Sequence, residues 1–575
     1  MEEITKKLLQ SCKNDTFLDV VYELDLESRK NEKTLRPLLI RMHNEGQIDV
    51  IVEFRKLTRK NTNGDFFLLR YILEEILPSI NAPVHQVMDC VKHLSLEAGD
   101  DMAAYMLMTP FKDFCRKNPT RSNELLSIAT TDVDDEFDFI SPAILSGADL
   151  NLEEHTRKTL SLVKNENHFI SKRAIFSLGF INYNNQLDLV KIALEVIIAS
   201  SKTENDEVLS ISLRSLFSLF LQEKNCKSIL LDFIEKHKDI ASDLFVHTAL
   251  ELLSFNKENT PDDIEACLIK FAYQIKPQNK GTISRLDNIL SNMLEKREFD
   301  KVIIFLEKLF ERSNYKISIS DFSCLMREIC KSDIYLSNLI TRWFLSRKAM
   351  LGRFCLDLLD MTRDKGVIIK CDISQLSEKY ESFHVFLAKK ACGWFFSKQI
   401  SAISFIFSLI DSAPEEQIEE IISITFNPLL ISYPGSVKDY LEKSSDGASE
   451  KTKNFVTSVL AKLKDYHEGI DQALKINELR PSEAQRHAYN RFHHKIINDV
   501  HNEAREKSVF LSIVKESVIL YGDSTIYHIH HDNITSRQET LMQKISTRFE
   551  FPSLQYIDPH GLDFQVRRFR LEGCM

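Results

Sequence analysis

The sequence predicts a mainly α-helical protein: an irregular α-solenoid of antiparallel helical hairpins, followed by a small mixed α/β domain. Three observations predict this class. The 15 glycines and 14 prolines are about 5% of the chain, where about 12% is usual, and tight β-hairpins consume glycine. Apolar residues recur at helical spacing as far as about residue 465. Short polar breaks divide these stretches into roughly twenty predicted helices.

The amino-acid composition alone restricts the class of protein. The chain has 575 residues, of which 43% are hydrophobic and 27% charged, so it can bury a core and is not disordered as a whole. Its formal net charge is −10. Because nucleic-acid tracking needs a positive surface, the charge disfavours a whole-surface nucleic-acid binder and leaves only a local basic patch for that role.

Cysteine usage and hydropathy predict a cytoplasmic protein without a membrane span. The 11 cysteines are scattered and contain no Cys-x-x-Cys pair, which indicates reduced thiols that pack as small apolar residues. The first residues lack a secretory signal. The most apolar run, Trp394 to Ile410, is interrupted by Lys398 and Gln399 and is interpreted as a buried helix pair. No cofactor is expected.

We predict four parts. A helical region covers residues 1–130, and an acidic linker follows at 131–156. Clustered carboxylates in this segment suggest a hard-cation site, but an EF-hand needs a central glycine where none stands, and an exposed linker is favoured. A solenoid is predicted at 157–465 and a His/Arg-rich mixed α/β domain at 466–575. The acidic residues are Asp132, Asp134, Asp135, Glu136, Asp138 and Asp149.

The solenoid prediction depends on internal similarity. Three helical segments overlay on one another, at 173–178, 214–219 and 247–252, and a second predicted helix follows each of them. This pattern resembles the α-hairpin repeats of HEAT and armadillo proteins, which run near 40 residues. The resemblance is clearest over about 170–275 and implies an extended surface that binds other macromolecules. The alternative is a helical bundle without repeats.

The C-terminal part is interpreted as partly β-structured. Residues 518–521 and 525–530 are β-branched or aromatic runs around a Gly-Asp turn, which predicts a hairpin. Residues 548–551 and 564–571 are expected to add strands. A long polar helix is predicted before them, at about 481–507.

Nine of the 17 histidines lie between His467 and His560. On the polar helix, three of them recur every seven residues and share one face with two arginines. Each pair of histidines is about 10.5 Å apart, too far for one metal ion, so the stripe indicates a surface for anions or an acidic partner. The alternative is a solvated helix face. The predicted binding residues are His487, Arg491, His494, His501 and Arg505.

Two further sets of residues suggest binding sites. His528 and His530 point the same way from a predicted strand and are weak candidates for a metal site with Asp532; surface imidazoles are the alternative. The basic-aromatic run with Arg567, Arg568 and Arg570 suits phosphates or bases, or else protects an edge strand. The sequence Asp-Pro-His-Gly at 558–561 is interpreted as a turn.

The sequence motifs of common catalytic sites are absent, including Walker A, Gly-x-Ser-x-Gly and His-Glu-x-x-His. Asp262, Glu265 and Lys270 loosely resemble a nuclease carboxylate set, but the spacing is wrong and the segment is helical. The sequence therefore predicts a non-catalytic scaffold or adaptor that binds a protein partner. Its suggested setting is a bacterial defence-type complex, by association with other large helical proteins.

Two alternative functions stay open. One is an effector or enzyme subunit of hydrolase or nuclease type, with its site in the C-terminal domain. The other is a nucleic-acid-binding protein that uses the basic cluster. The oligomeric state is not predicted.

Overall fold

The structure is a computed structural model. It describes residues 2–28, 35–60, 65–99, 106–202, 205–240, 242–361, 366–376, 383–509, 524–531, 534–541 and 550–573. These residues form 29 α-helices and two strands, so the predicted mainly α-helical class is confirmed. The chain divides into two compact units, Met1–Ile317 and Ser318–Met575. The finer boundaries that the sequence predicts, after residues 130, 156 and 465, stay predictions.

The described residues of the first unit form eighteen α-helices. They are α1 (Glu2–Lys13), α2 (Phe17–Ser28), α3 (Leu35–Asn44), α4 (Val50–Phe54), α5 (Phe66–Ile76), α6 (Val84–Ala98), α7 (Met108–Arg116), α8 (Pro119–Thr131), α9 (Ile140–Leu150), α10 (Leu152–Leu162), α11 (His168–Phe180), α12 (Leu187–Ser200), α13 (Asp206–Gln222), α14 (Lys227–Lys236), α15 (Asp243–Phe255), α16 (Asp262–Leu268), α17 (Lys280–Glu295) and α18 (Phe299–Arg312).

The described residues of the second unit form eleven α-helices and a two-stranded sheet. They are α19 (Ser323–Cys330), α20 (Asp333–Leu345), α21 (Ala349–Met361), α22 (Phe383–Trp394), α23 (Gln399–Leu409), α24 (Glu415–Ile424), α25 (Ser436–Ser445), α26 (Glu450–Ala473), α27 (Glu483–Glu506), β1 (Ser524–His531), β2 (Ile534–Leu541), α28 (Leu554–Ile557) and α29 (Pro559–Leu571). A π-helical turn covers Thr425–Leu430. Short 3-10 helices lie in both units, at Leu77–Ser79, Lys224–Cys226, Lys257–Asn259, Ile269–Gln274, Ile319–Asp321, Ile373–Gln375, Ile410–Ser412 and Asn477–Leu479.

Side-chain caps begin many of these helices. The side chains of Asp49, Asn167 and Asn205 each accept hydrogen bonds from two backbone N–H groups in the first turn of α4, α11 and α13, where a helix leaves its N–H groups without partners. Pro119 occupies the first position of α8, where its missing N–H costs no hydrogen bond. The sequence therefore contains the start signals of these helices.

Alternate helices pack on one another. In the first unit α9, α11, α13, α15 and α17 form a row in which each helix contacts the next, and α10 contacts α12 beside it. In the second unit α20, α22, α24 and α26 form a similar row. This packing is the arrangement of stacked helical hairpins. The three overlaid sequence segments lie in α11, α13 and α15, which are consecutive members of the first row.

Polar contacts join neighbouring members of the first row. The Ser215 hydroxyl on α13 donates a hydrogen bond to the Ile175 carbonyl on α11 at 3.0 Å. Arg214 pairs with Glu251 on α15, and His247 Nδ1 lies 3.0 Å from the Thr282 hydroxyl on α17. Arg214 and His247 occupy the same place in the overlaid segments. Two of the three overlaid segments therefore contact the next helix of the row from that place, whereas Arg173, at the same place in the first segment, lies 3.5 Å from Asp138 in the loop before α9.

The acidic segment is shorter than the sequence predicts. In the predicted linker at 131–156, only residues 132–139 and Asn151 are non-helical, because α9 begins at Ile140 and buries eight of its eleven residues. Packing against α7, α8 and α11 stabilises this helix. The sequence analysis interpreted the segment as an exposed linker because of its clustered carboxylates.

The predicted C-terminal α/β domain is not supported. The described part of 466–575 contains helices and one antiparallel hairpin of β1 and β2. The strand with His528 and His530 is present, but it pairs with residues 534–541, and the predicted partner at 518–521 lies outside the described residues. The strand predicted at 564–571 is wrong, because these residues belong to α29. Of the strand predicted at 548–551, residues 548 and 549 are outside the described part and 550–551 are a loop.

The cysteines behave as the sequence predicts. Ten are free thiols in the described chain, and six of these are buried. Burial raises the pKa of the Cys90 and Cys115 thiols to about 12, so both are protonated and unreactive at neutral pH. Trp394 and the helix after it are buried, as predicted for that apolar run. Among the described residues, no helix is long and apolar enough to span a bilayer.

Candidate functional site

The second unit carries a helical segment without buried side chains, formed by the second half of α26 and by α27. Phe455, Val456, Val459 and Leu463 are buried at helical spacing along the first half of α26. No residue of the described chain from 464 to 509 is buried. The second half of α26 and all of α27 therefore bury no side chain against the packed helices, and we call residues 464–509 the arm.

Local signals make α27 a helix even though it is unburied. The Ser482 side chain accepts from the Gln485 N–H, and the Gln485 side chain accepts from the Ser482 N–H at 2.8 Å, which completes a capping box. The helix runs 24 residues, from Glu483 to Glu506, with no buried residue. The sequence-predicted helix at 481–507 is therefore confirmed.

The predicted histidine and arginine residues of α27 are all exposed. His487, His494 and His501 recur at seven-residue spacing on one face, and His487 Nε2 lies 4.0 Å from Glu483. We name this face the His/Arg stripe. In the described residues no group of three His, Cys, Asp or Glu side chains is placed to hold a metal ion. The stripe consists of His487, Arg491, His494, Asn498, His501 and Arg505.

The opposite face of α27 is apolar, which the sequence analysis overlooked. We name it the apolar stripe. Its four most exposed members keep 41–55% of their surface accessible. His493 is half-buried because its ring stacks on Tyr556 of α28 at 4.0 Å between centroids. The signal was in the sequence, as apolar side chains spaced by three and four residues. The stripe consists of Tyr489, Phe492, His493, Ile496, Ile497 and Val500.

Exposed apolar side chains concentrate near the arm. Of the 29 large apolar side chains that are exposed in the described chain, 13 lie between Ile470 and Leu571. Single exposed apolar residues are normal, whereas a concentration of them indicates an interaction surface. This region is therefore the strongest candidate for partner binding.

The last helix, α29, is part of the packed body. Leu562, Val566 and Phe569 are buried at i, i+4 and i+7, and the helix packs on α22. Asp558 caps its start by accepting from the Gly561 N–H at 2.9 Å, and Pro559 follows at the first position. The segment 558–561, predicted as a turn, is thus the start of a helix. Proline and aspartate are common at turns and also at the first positions of helices.

A buried lysine binds the end of α29. Lys390 is 2% exposed, and its ammonium donates to the Arg570 and Glu572 carbonyls at 2.6 and 2.8 Å. The C-terminus of a helix carries unpaired carbonyls and partial negative charge, which stabilise a cation there. Lys389 lies next to Lys390 in the sequence. Burial alone would lower the pKa of Lys389, but its hydrogen bonds to Glu572 and Glu420 outweigh burial, so that its pKa is raised.

Replacing Lys390 with methionine is expected to lower the free energy of unfolding by about 1–3 kcal/mol, because the buried carbonyls lose their donor. Urea denaturation of the full chain measures the change. Lys438→Met on α25 is the control, because its side chain is half-exposed and should change stability by less than about 0.5 kcal/mol. Equal stability of both variants would contradict the capping role.

The three C-terminal arginines differ in exposure. Arg567 pairs with Asp563 at 2.9 Å and Arg568 lies 3.9 Å from Glu572, and both side chains stay exposed. Arg570 donates to the Gly393 carbonyl at 2.7 Å and lies over Trp394. Burial lowers the pKa of Arg570. A nucleic-acid role for Arg567, Arg568 and Arg570 stays a prediction.

Two grooves lie in the first unit. One of 470 Å³ has a floor that includes the stacked rings of Tyr273 and Phe305, 4.7 Å apart. Asp262, Glu265 and Lys270 all line it, together with residues of α17 and α18 that no sequence spacing connects to them. Its rim holds three carboxylates and three lysines, so its charge favours neither anions nor cations. The rim residues are Asp262, Glu265, Glu298, Lys270, Lys296 and Lys301.

The other groove is acidic. It measures 340 Å³ and is lined by Asp89 and by three carboxylates of the acidic loop. Lys92 also lines it and pairs with Asp134. The hydrogen bond from Lys92 holds the pKa of Asp134 below its usual value despite the opposing effect of burial. The loop at 132–139 is thus tied to α6. Its carboxylates are Asp132, Asp134 and Asp135.

The candidate metal residues His528 and His530 lie two positions apart on β1, opposite Arg537 and Thr535 of β2. The metal role itself stays a prediction.

Comparisons with known proteins give no family. No family model and no curated protein matches the chain. Among solved structures, a homology model of the full-length AP-3 complex in an intermediate open conformation has a TM-score of 0.31 at 13% identity, covering 73% of this chain and 78% of that chain. A crystal structure of an engineered protein has a TM-score of 0.20 at 11% identity, covering 81% and 99%. Scores this low carry no argument about function.

Proposed function

We propose that the protein is a non-catalytic helical adaptor that binds a protein partner through the arm. The observation that carries this proposal is the exposure of α27, a 24-residue helix in which no side chain is buried and His493 is half-buried against Tyr556. An exposed helix of this length is marginally stable alone, and a binding partner would stabilise it.

The His/Arg stripe is the face we assign to the partner. It presents two arginines and three histidines and no carboxylate along five turns. Such a surface attracts acidic side chains, and arginine binds carboxylates with two parallel hydrogen bonds. We therefore expect the partner to present an acidic surface, and binding to weaken as salt rises.

The test compares full-length chains, because a chain truncated after Asp465 would also lose α29 and expose the core that it covers. The variant Arg491→Glu with Arg505→Glu reverses the charge of the stripe. A control, Arg157→Glu with Lys191→Glu, makes the same net change at exposed positions on α10 and α12.

We expect the unmodified chain and the control to capture the same acidic protein in affinity purification with mass spectrometry, and the stripe variant to lose at least about tenfold of it. Equal capture by the stripe variant would contradict this function. Binding of the unmodified chain to DNA or RNA with a steep salt dependence would favour the nucleic-acid alternative instead.

The enzyme alternative predicts converging titratable groups in a pocket within residues 466–575. We favour the adaptor because exposed large apolar side chains concentrate between Ile470 and Leu571, which indicates an interaction surface. Its cytoplasmic location and a setting in a bacterial defence-type complex stay proposals.

A further inference from the structure

We propose that the apolar stripe of α27 joins two copies of this chain as an antiparallel helix pair. This inference goes beyond the adaptor function, because it uses the face opposite the His/Arg stripe and needs no other protein.

The spacing of the apolar stripe suits a helix partner. Tyr489, His493, Ile496 and Val500 are separated by four, three and four residues, which is the spacing of core positions in a two-stranded coiled coil. Phe492 and Ile497 flank this line and widen it. The 24-residue helix is about 36 Å long, enough for three layers of facing side chains.

The charges of α27 favour a second copy in antiparallel orientation. Residues 486–495 contain three basic residues and no carboxylate, whereas residues 499–506 contain three carboxylates and one arginine. In an antiparallel pair, the basic half of each helix faces the acidic half of the other. The basic residues are Arg486, Arg491 and Lys495, and the carboxylates are Asp499, Glu503 and Glu506.

The heptad spacing also fixes the register. When His493 faces Ile496 of the second copy, Tyr489 faces Val500 of the second copy. Arg486 then faces Glu503 of the second copy at both ends of the pair. Glu503 pairs with Lys507 of its own helix, but both side chains are exposed, and such surface pairs exchange partners at little cost.

A lipid surface fits the stripe less well. Glu503 lies on the apolar side of α27 and Asp499 lies at its edge, and both would be carried toward the membrane. With histidine neutral, basic and acidic residues nearly balance along the helix, so anionic lipids would attract it weakly. His493 contacts Tyr489 and Tyr556 of its own chain, so pairing with a second copy would replace the contact between His493 and Tyr556, whereas Tyr489, Phe492, Ile497 and Val500 are already exposed.

Sedimentation equilibrium of the full-length chain at rising concentration tests the proposal. We expect the molar mass to rise from 66.6 kDa toward twice that value. Val500→Glu should weaken self-association by at least about tenfold, whereas Asn502→Glu, at an exposed position away from the apolar stripe and outside the His/Arg stripe, should leave it unchanged. A chain that stays monomeric at all concentrations, or a Val500→Glu chain that associates like the unmodified one, would overturn the proposal.

A charge exchange tests the orientation. Arg486→Glu places like charges at both ends of the pair and should weaken association about tenfold. Adding Glu503→Arg to the same chain restores opposite charges and should recover most of the loss. If the double variant associates no better than Arg486→Glu alone, the antiparallel register is wrong.

Discussion

Replacing Phe569 with alanine should lower the free energy of unfolding by about 3–5 kcal/mol, the cost of removing a buried aromatic ring. Phe569 is 3% exposed and lies where α29 meets α22. An added Cβ on Gly393 of α22 would stand 3.1 Å from the Phe569 Cβ, so the two helices are in close contact there. The loss would leave a cavity between them that neither helix can fill.

The same helix supplies a matched control. Phe564 is 69% exposed, and Phe564→Ala should change stability by less than about 0.5 kcal/mol. Urea denaturation followed by circular dichroism measures both variants. If the two substitutions cost the same, α29 does not pack on α22 as described, and the C-terminal segment is not part of the second unit.

Replacing Gly179 with alanine should cost about 1–3 kcal/mol by overpacking. A Cβ at this position of α11 would lie 2.4 Å from the Ser215 Cα and 2.8 Å from the Ser215 carbonyl oxygen on α13. Backbone atoms of a packed helix cannot rotate away, so the two helices would have to separate. The hydrogen bond from the Gln222 side chain to the Gly179 carbonyl, 3.1 Å long, would be strained as well.

Gly281 near the start of α17 is the matched position, because an added Cβ meets nothing within 4 Å. Gly281→Ala should be neutral or stabilising by up to about 1 kcal/mol. Thermal denaturation of both variants tests the row of alternate helices directly. A harmless Gly179→Ala would show that α11 and α13 are not in direct backbone contact.

The helices were largely predictable because their signals are local. Caps such as Asn167 and Asn205 and apolar side chains at helical spacing mark starts and faces within a single element. The similarity of the three overlaid segments was also predictable. Arg214 and His247 stand at the same place in two of these segments, and each contacts the next helix of the row.

The errors arise where local patterns fit two structures. Residues 564–571 alternate apolar and basic side chains, which suits a strand, yet Leu562, Val566 and Phe569 form a helical stripe. The starting residues Asp558 and Pro559 favour the helix. The α9 helix was missed for a different reason, since its burial depends on α7, α8 and α11, which are distant from it in sequence or not recognisable as partners.

The candidate site was predicted only in part. The His/Arg stripe could be predicted because its residues recur every seven positions on one helix. The contacts of Arg570 could not be predicted, because its partners Gly393 and Trp394 are almost two hundred residues away in the chain. The grooves likewise combine side chains from separate helices. The spacing of residues in the sequence identifies the faces of a helix, and only the packing of the helices shows which of these faces remain exposed to solvent.

Hydrogen exchange of the full-length chain in dilute solution tests the central claim most directly, because that claim is the exposure of α27. We expect amides of Glu483–Glu506 to exchange much faster than those of Asp206–Gln222, since an unburied helix opens locally at little cost. Slow exchange of α27 in the monomer, comparable to that of α13, would mean that other parts of the chain cover it and would contradict the account.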